Sequence, residues 1–185
     1  GGTFTHNAED ALILKEGTVD YIAFSYYFSS IARYAGPGDN ICTGEKNPYL
    51  KRNDWDWHID PLGLRLSLNE LYDRFQLPLF VVENGLGAID TVKEDGTIED
   101  DQRIAFLAAH IKALKDAVEL DDIDVIGYTS WGCIDIISVG TGEMRKRYGY
   151  IYVDKDDEGK GTFDRKKKKS FDWYRKVIAS NGEDL

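Results

Sequence analysis

The sequence predicts an α/β fold built on a parallel sheet, because strand-like apolar runs alternate with helix-like amphipathic segments. The runs VDYIAFSYY (19–27), PLFVVEN (78–84) and DVIGYTSW (124–131) are short and rich in β-branched and aromatic residues. Strands that are covered on both faces have this composition. One helical segment precedes the second run and another precedes the third, and this order is typical of βαβ units.

Two segments repeat apolar residues at the spacing of one helix face. Segment 61–75 has a stripe formed by Leu64, Leu68, Leu71 and Phe75. Segment 101–120 has a stripe formed by Ile104, Leu107, Ala108, Ile111 and Leu114. The connections at residues 29–60 and 85–100 are long, and long loops after strands indicate a functional site.

Beyond the third strand, the sequence predicts a β-hairpin near residues 148–165, with a polar turn over 155–160. A terminal helix is predicted near residues 170–180. The basic tract 165–169 is expected to be solvated, since a charge run beside an apolar helix usually faces water.

Polar and aromatic residues follow each predicted strand, at positions 25–27, 83–84 and 130–131. In a (β/α)₈ barrel the catalytic groups lie at the carboxyl ends of the strands. Such a barrel has eight strands and about 250 residues, so three strands cannot close it. The sequence therefore predicts that residues 1–185 are one portion of a single (β/α)₈ barrel domain.

Charge and hydropathy argue against two classes of partner. The net charge of −10 and the pI near 4.8 disfavour nucleic acid and anionic membranes, whose recognition needs clustered Lys and Arg. No apolar run reaches the roughly 18 residues of a membrane span, and no charged-then-apolar leader is found. We therefore expect a small polar ligand, with no nucleic acid and no membrane as partner.

The sequence does not follow the spacing of a metal site. Cys42 and Cys133 are far apart, so two unpaired thiols in a reducing, intracellular compartment are expected. The acidic segment 154–159 departs from the register of a calcium loop and is interpreted as a hairpin turn. The histidines also lack metal-ligand spacing. Structural roles are expected for His6, His58 and His110.

Three segments together resemble glycoside hydrolase family 1, the retaining β-glycosidases with a (β/α)₈ fold. They are DYIAFSYYFS (20–29), LFVVENGLG (79–87) and GYTSWGCIDIIS (127–138). The resemblance covers essentially the whole chain and implies the C-terminal part of the barrel, about strands six to eight with their helices. It also implies three site residues: Glu83 as the catalytic nucleophile, Tyr27 as its hydrogen-bond donor, and Trp131 as a wall of the sugar subsite.

The chemistry of retaining hydrolysis calls for these residue types. One carboxylate attacks the anomeric carbon, and a second carboxyl about 5 to 5.5 Å away acts first as acid and then as base. A phenol that donates to the nucleophile stabilises its charged form. A tryptophan ring covers the apolar face of a pyranose, while its N–H can reach a hydroxyl.

The stretch SVGTGEMRKRYG (138–149) resembles the loop of bacterial 6-phospho-β-glucosidases in this family. The resemblance implies that Ser138, Lys146 and Tyr148 hold the 6-phosphate, where enzymes for unphosphorylated sugars carry a glutamate. Hydroxyls and an ammonium attract a dianion that a glutamate would repel. Within the tripeptide 145–147 the choice of cation stays open, with Lys146 preferred. At Val139 the family's 6-phosphogalactosidases carry tryptophan, which favours a glucose-type substrate.

The acid/base glutamate of the family lies in an Asn-Glu-Pro segment that this sequence lacks. Asn69-Glu70 is followed by leucine within an amphipathic helix, so it is interpreted as a solvated helix face. We therefore expect the 185-residue chain to be inactive by itself. For Trp55 and Trp57, a subsite role and simple aromatic packing both stay open.

The function implied is hydrolysis of 6-phospho-β-D-glucosides by the intact, cytoplasmic enzyme, with no metal or organic cofactor. One alternative is a β-glucosidase for unphosphorylated sugars. The other is an inactive fragment or a sugar-phosphate-binding module. Because a partial barrel leaves strands and apolar faces uncovered, self-association of the chain is also expected.

Overall fold

The computed structural model describes residues 5–32 and 45–185, which form a three-stranded parallel sheet, a two-stranded antiparallel sheet and four helices. The parallel sheet has the order β1-β2-β3. Its strands are β1 (Ile22–Ser25), β2 (Leu79–Glu83) and β3 (Val125–Tyr128). The predicted parallel strands are therefore confirmed, although each is shorter than its apolar run.

The described residues also form four helices. They are α1 (Ala8–Glu16), α2 (Pro61–Phe75), α3 (Asp101–Leu120) and α4 (Lys169–Ala179). The bounds of α2 and α3 agree with the prediction, and the Asp60 carboxylate caps α2 by accepting a hydrogen bond from Gly63 N. Helix α1 was not predicted. Since Leu12, Ile13 and Leu14 are consecutive and exposed, they form no apolar stripe.

The core lies between the sheet and helices α2 and α3. Leu64 and Leu68 of α2 are fully buried against Leu79 and Val81 of β2. At the end of the predicted α2 stripe, Phe75 is 47% exposed, so the stripe is shorter than the sequence indicates. Central strand β2 has one buried face and one half-buried face, and the flanking strands are more exposed.

The chain after β3 forms the predicted hairpin and terminal helix. Strands β4 (Ile151–Val153) and β5 (Arg165–Lys167) pair antiparallel. The expectation that the basic tract is solvated is wrong for one residue, because Lys168 is 2% exposed. Its ammonium lies 2.6 Å from the carboxylates of both Asp90 and Asp135. Attraction to these carboxylates offsets part of the cost of removing the ammonium from water.

Two further predictions concern cysteines and membrane spans. Cys133 is an exposed free thiol, and Cys42 lies outside the described residues. No helix in the described ranges combines the length and the apolar character needed to cross a bilayer.

Candidate active site

The site is built at the carboxyl ends of the parallel strands. Glu83 is the last residue of β2, and its backbone oxygen accepts a hydrogen bond from Tyr26 N at 2.9 Å. The hydroxyl of Tyr27 donates to Glu83 Oε2 at 3.1 Å. Burial, and then the charge of Glu83, raises the pKa of Tyr27 far above its ordinary value, so the phenol keeps its proton and stays a donor.

Asn84 fixes the three strand ends to one another. Its side-chain nitrogen donates to Tyr26 O at 2.7 Å, and its side-chain oxygen accepts from the Tyr128 hydroxyl at 2.8 Å. Its backbone oxygen accepts from Trp131 N at 2.8 Å. From the sequence, Asn84 was recognised only as part of the Glu-Asn-Gly motif, with no role of its own. The position after Glu83 requires a small side chain that both donates and accepts hydrogen bonds. Asparagine is one of the few residues with such a side chain.

A cavity of about 280 Å³ opens beside Glu83. Five of the six predicted site residues line it: Tyr27, Glu83, Trp131, Ser138 and Tyr148. Trp57, Val139 and Gly140 complete the lining. The structure thus brings together residues that are separated by more than 120 positions in sequence, and it places Trp57 at the cavity, a position that the sequence left open.

Lys146 is the one predicted site residue that does not line the cavity. It is 1% exposed, and its ammonium lies 3.8 Å from the ring centroid of Trp57 and 5.1 Å from that of Trp55. Its stem packs against Gly87, where a Cβ would approach the Lys146 side chain to 2.8 Å. The Lys146 ammonium therefore lies among the aromatic rings of Trp57 and Tyr148, two residues that line the cavity, and of Trp55.

Within the part of the chain that the structure describes, Lys146 makes no ion pair. Burial lowers its pKa below the usual lysine range, and the charge of Glu143 opposes that effect. The Glu143 carboxylate has other hydrogen-bond partners. Hydrogen bonds from Trp55 and then Arg145 lower the pKa of Glu143 to about 2. The Lys146 ammonium is thus desolvated without a carboxylate that neutralises it directly.

The neighbouring arginines have other partners. Arg145 is exposed, and its Nε donates to Glu143 Oε1 at 2.8 Å. Arg147 is buried and pairs with Asp135 at 2.9 Å. Among residues 145–147, Lys146 is therefore the cation that makes no ion pair with a described residue, and its role in binding stays a prediction.

Residues 138–148, referred to below as the 138–148 loop, close back on themselves. Ser138 N donates to Glu143 O at 3.0 Å, and Gly142 N donates to Ser138 O at 2.8 Å. Ser138 and Tyr148 are 3% and 5% exposed, so both hydroxyls have lost most of their water. Burial raises the pKa of Tyr148, while a hydrogen bond with Ser138 partly lowers it. The Tyr148 phenol therefore keeps its proton, and both residues line the same cavity.

Glu83 is the only carboxyl group among the described residues that line the cavity. Glu70 lies on the exposed side of α2, as the sequence predicts. His58 and His110 have structural surroundings: His58 Nε2 accepts from Asn47 N at 2.9 Å, and the His110 ring stacks on Phe106.

Comparison with solved structures first defines the class of protein. A family 1 β-glucosidase from Thermotoga maritima matches with a TM-score of 0.81 and 27% identity, over 96% of this chain and 39% of that chain. The same enzyme in complex with noeuromycin matches with a TM-score of 0.80. The fold is therefore part of the barrel of a β-glucosidase-like protein.

Sequence comparison then identifies the family. Residues 1–183 match glycosyl hydrolase family 1, and the chain belongs to this family. An aryl-phospho-β-D-glucosidase of Bacillus subtilis is 59% identical over 181 residues, 95% of this chain and 38% of the relative. A 6-phospho-β-glucosidase of Escherichia coli is 53% identical over 190 residues, 100% of this chain and 40% of the relative. The chain thus spans about two fifths of the length of these curated relatives.

Proposed function

We propose that the complete enzyme containing this chain hydrolyses 6-phospho-β-D-glucosides with retention of configuration. In this proposal residues 1–185 supply the C-terminal part of one barrel domain, about strands six to eight. The observation that carries the proposal is the 280 Å³ cavity, whose lining includes Glu83, Ser138 and Tyr148. A carboxyl-bearing residue and two hydroxyl-bearing residues therefore line one ligand volume.

Glu83 is the nucleophile in the proposed reaction. Its carboxylate attacks C1 of the sugar, and the bond from C1 to the aglycone oxygen breaks as a second carboxyl protonates that oxygen. Water, deprotonated by the same second group, then releases the sugar from the glycosyl-enzyme. Tyr27 holds the attacking carboxylate in place, and Trp131 covers one face of the ring.

The second carboxyl would come from another part of the complete barrel, because only Glu83 among the described lining residues carries one. The purified 185-residue chain is therefore expected to show no glycosidase turnover. Measurable hydrolysis by that chain would contradict this assignment.

The 6-phosphate is proposed to bind Ser138, Tyr148 and Lys146. Hydroxyl donors and an ammonium suit a dianion, and no carboxylate of residues 5–32 or 45–185 pairs with Lys146, so a phosphate would displace none of these. Two curated relatives carry names that refer to phospho-β-glucosides, which supports the same substrate class. The small side chain of Val139, 87% exposed at the cavity, supports the glucose-type assignment.

Comparison of two substrates tests this function. The complete enzyme would be assayed with p-nitrophenyl β-glucoside and with its 6-phosphate, and kcat/KM is expected to favour the phosphorylated substrate at least a hundredfold. Equal kcat/KM values would overturn the phosphate assignment and favour the β-glucosidase alternative. A cytoplasmic location is part of the proposal, since phosphorylated sugars arise during uptake into the cell.

We also propose that the isolated chain self-associates. Strands β1 and β3 are the outer strands of the described sheet, and a groove of about 410 Å³ beside β3 is lined by apolar residues that include Leu114, Val125 and Ile126. Unpaired strand edges and open apolar grooves promote association. Size-exclusion chromatography is expected to show an oligomer that Ile126→Lys shifts toward monomer. A monomer at every concentration would refute this.

A further inference from the structure

A buried ion pair joins the two ends of the 138–148 loop. Asp135 lies three residues before Ser138, and Arg147 lies between Lys146 and Tyr148. The two side chains are 4% and 6% exposed, and Arg147 Nη1 donates to Asp135 Oδ2 at 2.9 Å. The pair therefore closes the loop at its base, away from the residues that line the cavity.

Arg147 makes further hydrogen bonds through both terminal nitrogens of its guanidinium group. Besides Asp135, it donates to Val153 O at 2.9 Å and to Lys155 O at 2.8 Å. Its Cζ lies 4.1 Å from the ring centroid of Tyr152. A lysine could not make three such bonds in one plane while stacking on a ring, so the geometry is specific to arginine.

Asp135 in turn holds the residues on both sides of Tyr148. Its Oδ2 accepts from Arg147, and its Oδ1 accepts from Gly149 N at 2.9 Å. The backbones approach closely here, because a Cβ on Gly149 would lie 2.4 Å from Asp135 N. Lys168 donates to the same Oδ1 at 2.6 Å, which anchors the carboxylate to the rest of the fold.

Backbone pairing determines which way the neighbours of Arg147 point. Arg147 and Ala88 exchange two backbone hydrogen bonds of 3.0 Å, so this stretch is extended. In extended backbone, alternate side chains point to opposite sides. With Arg147 directed at Asp135, Lys146 is directed at Trp57 and Tyr148 at the cavity, as the structure shows.

We propose that Arg147 and Asp135 are positioning residues, whose ion pair holds Lys146 and Tyr148 in the arrangement that recognises the sugar phosphate. The inference rests on the proposed function and adds to it the residues that set substrate selectivity without touching the substrate. Small displacements of such donors weaken binding because the donors must meet the ligand together.

The test compares two arginine-to-lysine variants of the complete enzyme. Arg147→Lys keeps the charge but loses the planar contacts, whereas Arg145→Lys makes the same change at an exposed arginine of the same loop. KM and kcat would be measured for p-nitrophenyl β-glucoside 6-phosphate and for p-nitrophenyl β-glucoside.

Arg147→Lys is expected to raise KM for the phosphorylated substrate about tenfold, more than it raises KM for the unphosphorylated one, with kcat changed less than threefold. Arg145→Lys is expected to behave like the unaltered enzyme. Equal increases in KM for both substrates would show a general structural role and overturn the inference. If the unaltered enzyme shows no preference for the phosphorylated substrate, both the proposed function and this inference are wrong. If the unaltered enzyme shows the preference and Arg147→Lys retains it, only this inference is wrong.

A milder variant covers the case in which Arg147→Lys does not fold, as judged by circular dichroism. Tyr152→Leu removes only the ring beneath the guanidinium. It is expected to lower the preference for the phosphorylated substrate about threefold, again through KM. An unchanged preference in a folded Tyr152→Leu variant would contradict a positioning role for the pair.

Discussion

The two sides of the cavity are held in place by different physical means. On the nucleophile side, formed by Tyr27, Glu83 and Asn84, hydrogen bonds without any ion pair connect the ends of three neighbouring strands. On the other side, the 138–148 loop is held by the buried ion pair of Asp135 and Arg147. The nucleophile side is therefore fixed by the sheet, whereas the loop side depends on an ion pair between two buried side chains.

This difference indicates how function is divided. Groups that must align with a reacting carbon lie on strand ends, where backbone pairing fixes them. In the proposed function, groups that recognise a charged substituent lie on a loop, where Lys146 makes no ion pair with a described residue. Changes on the nucleophile side are expected to lower kcat, and changes on the loop side are expected to raise KM for phosphorylated substrates.

The largest effect is expected from Glu83→Gln in the complete enzyme. Removal of a catalytic nucleophile lowers kcat by about 10⁴-fold or more, so turnover of p-nitrophenyl β-glucoside 6-phosphate should fall by that factor. The matched control is Glu70→Gln on the exposed side of α2, which should keep normal kcat and KM. Retention of more than a tenth of the activity by Glu83→Gln would rule out the nucleophile role.

The next-largest effect distinguishes the roles of two adjacent tyrosines, Tyr26 and Tyr27. Tyr27→Phe removes the donor to Glu83, and since hydrogen bonds to charged groups contribute about 1.5–3 kcal/mol, kcat should fall about 10- to 100-fold with little change in thermal stability. Tyr26→Phe removes the hydroxyl that donates to the Asp60 carbonyl, which should lower the free energy of unfolding by about 1–3 kcal/mol and leave kcat nearly unchanged.

Kinetics and thermal denaturation of both tyrosine variants provide the check. If Tyr26→Phe lowers kcat as much as Tyr27→Phe does, the nucleophile is positioned by the strand end as a whole. The assignment of the donor role to Tyr27 would then be wrong.

A pH titration probes the loop side. In the proposed function, Lys146 binds phosphate only while its amine is protonated, and its burial lowers its pKa below that of an exposed lysine. As pH rises through that lowered pKa the charge is lost, so KM for the phosphorylated substrate should increase, by about tenfold at the limit. KM for the unphosphorylated substrate should not follow, and Lys146→Met should abolish the pH dependence. Parallel changes for both substrates would exclude Lys146 as the titrating group.

Local pattern accounts for what the sequence predicted well. Strands β2 and β3 and helices α2 and α3 follow from apolar runs and helical spacing, which act over a few neighbouring residues. The cavity residues were predicted from a family resemblance, and the structure brings Glu83 and Tyr27 within hydrogen-bond distance. The roles of these residues stay predictions.

Pairing across long sequence separations accounts for what was missed. A lysine in a basic tract looks solvated in sequence, yet Lys168 is buried because Asp90 and Asp135 reach it from distant loops. Trp57 lies in a polar segment with no periodic pattern, so nothing local indicates whether it packs or lines a site. Burial of charge is set by tertiary partners, and one sequence does not reveal them.

The smallest effect tests Trp57, which touches both sides of the cavity. Its ring meets the Tyr27 ring edge-on at 5.9 Å and lies 3.8 Å from the Lys146 ammonium. Trp57→Leu removes the aromatic face under Lys146, and loss of a cation–π contact of about 0.5–1 kcal/mol should raise KM for the phosphorylated substrate about two- to fivefold. Trp57→Phe keeps a ring and should show less. If Trp57→Leu lowers kcat by a larger factor than it raises KM, Trp57 acts on Glu83 through Tyr27. Trp57 would then belong to the nucleophile side of the cavity and not to the loop side.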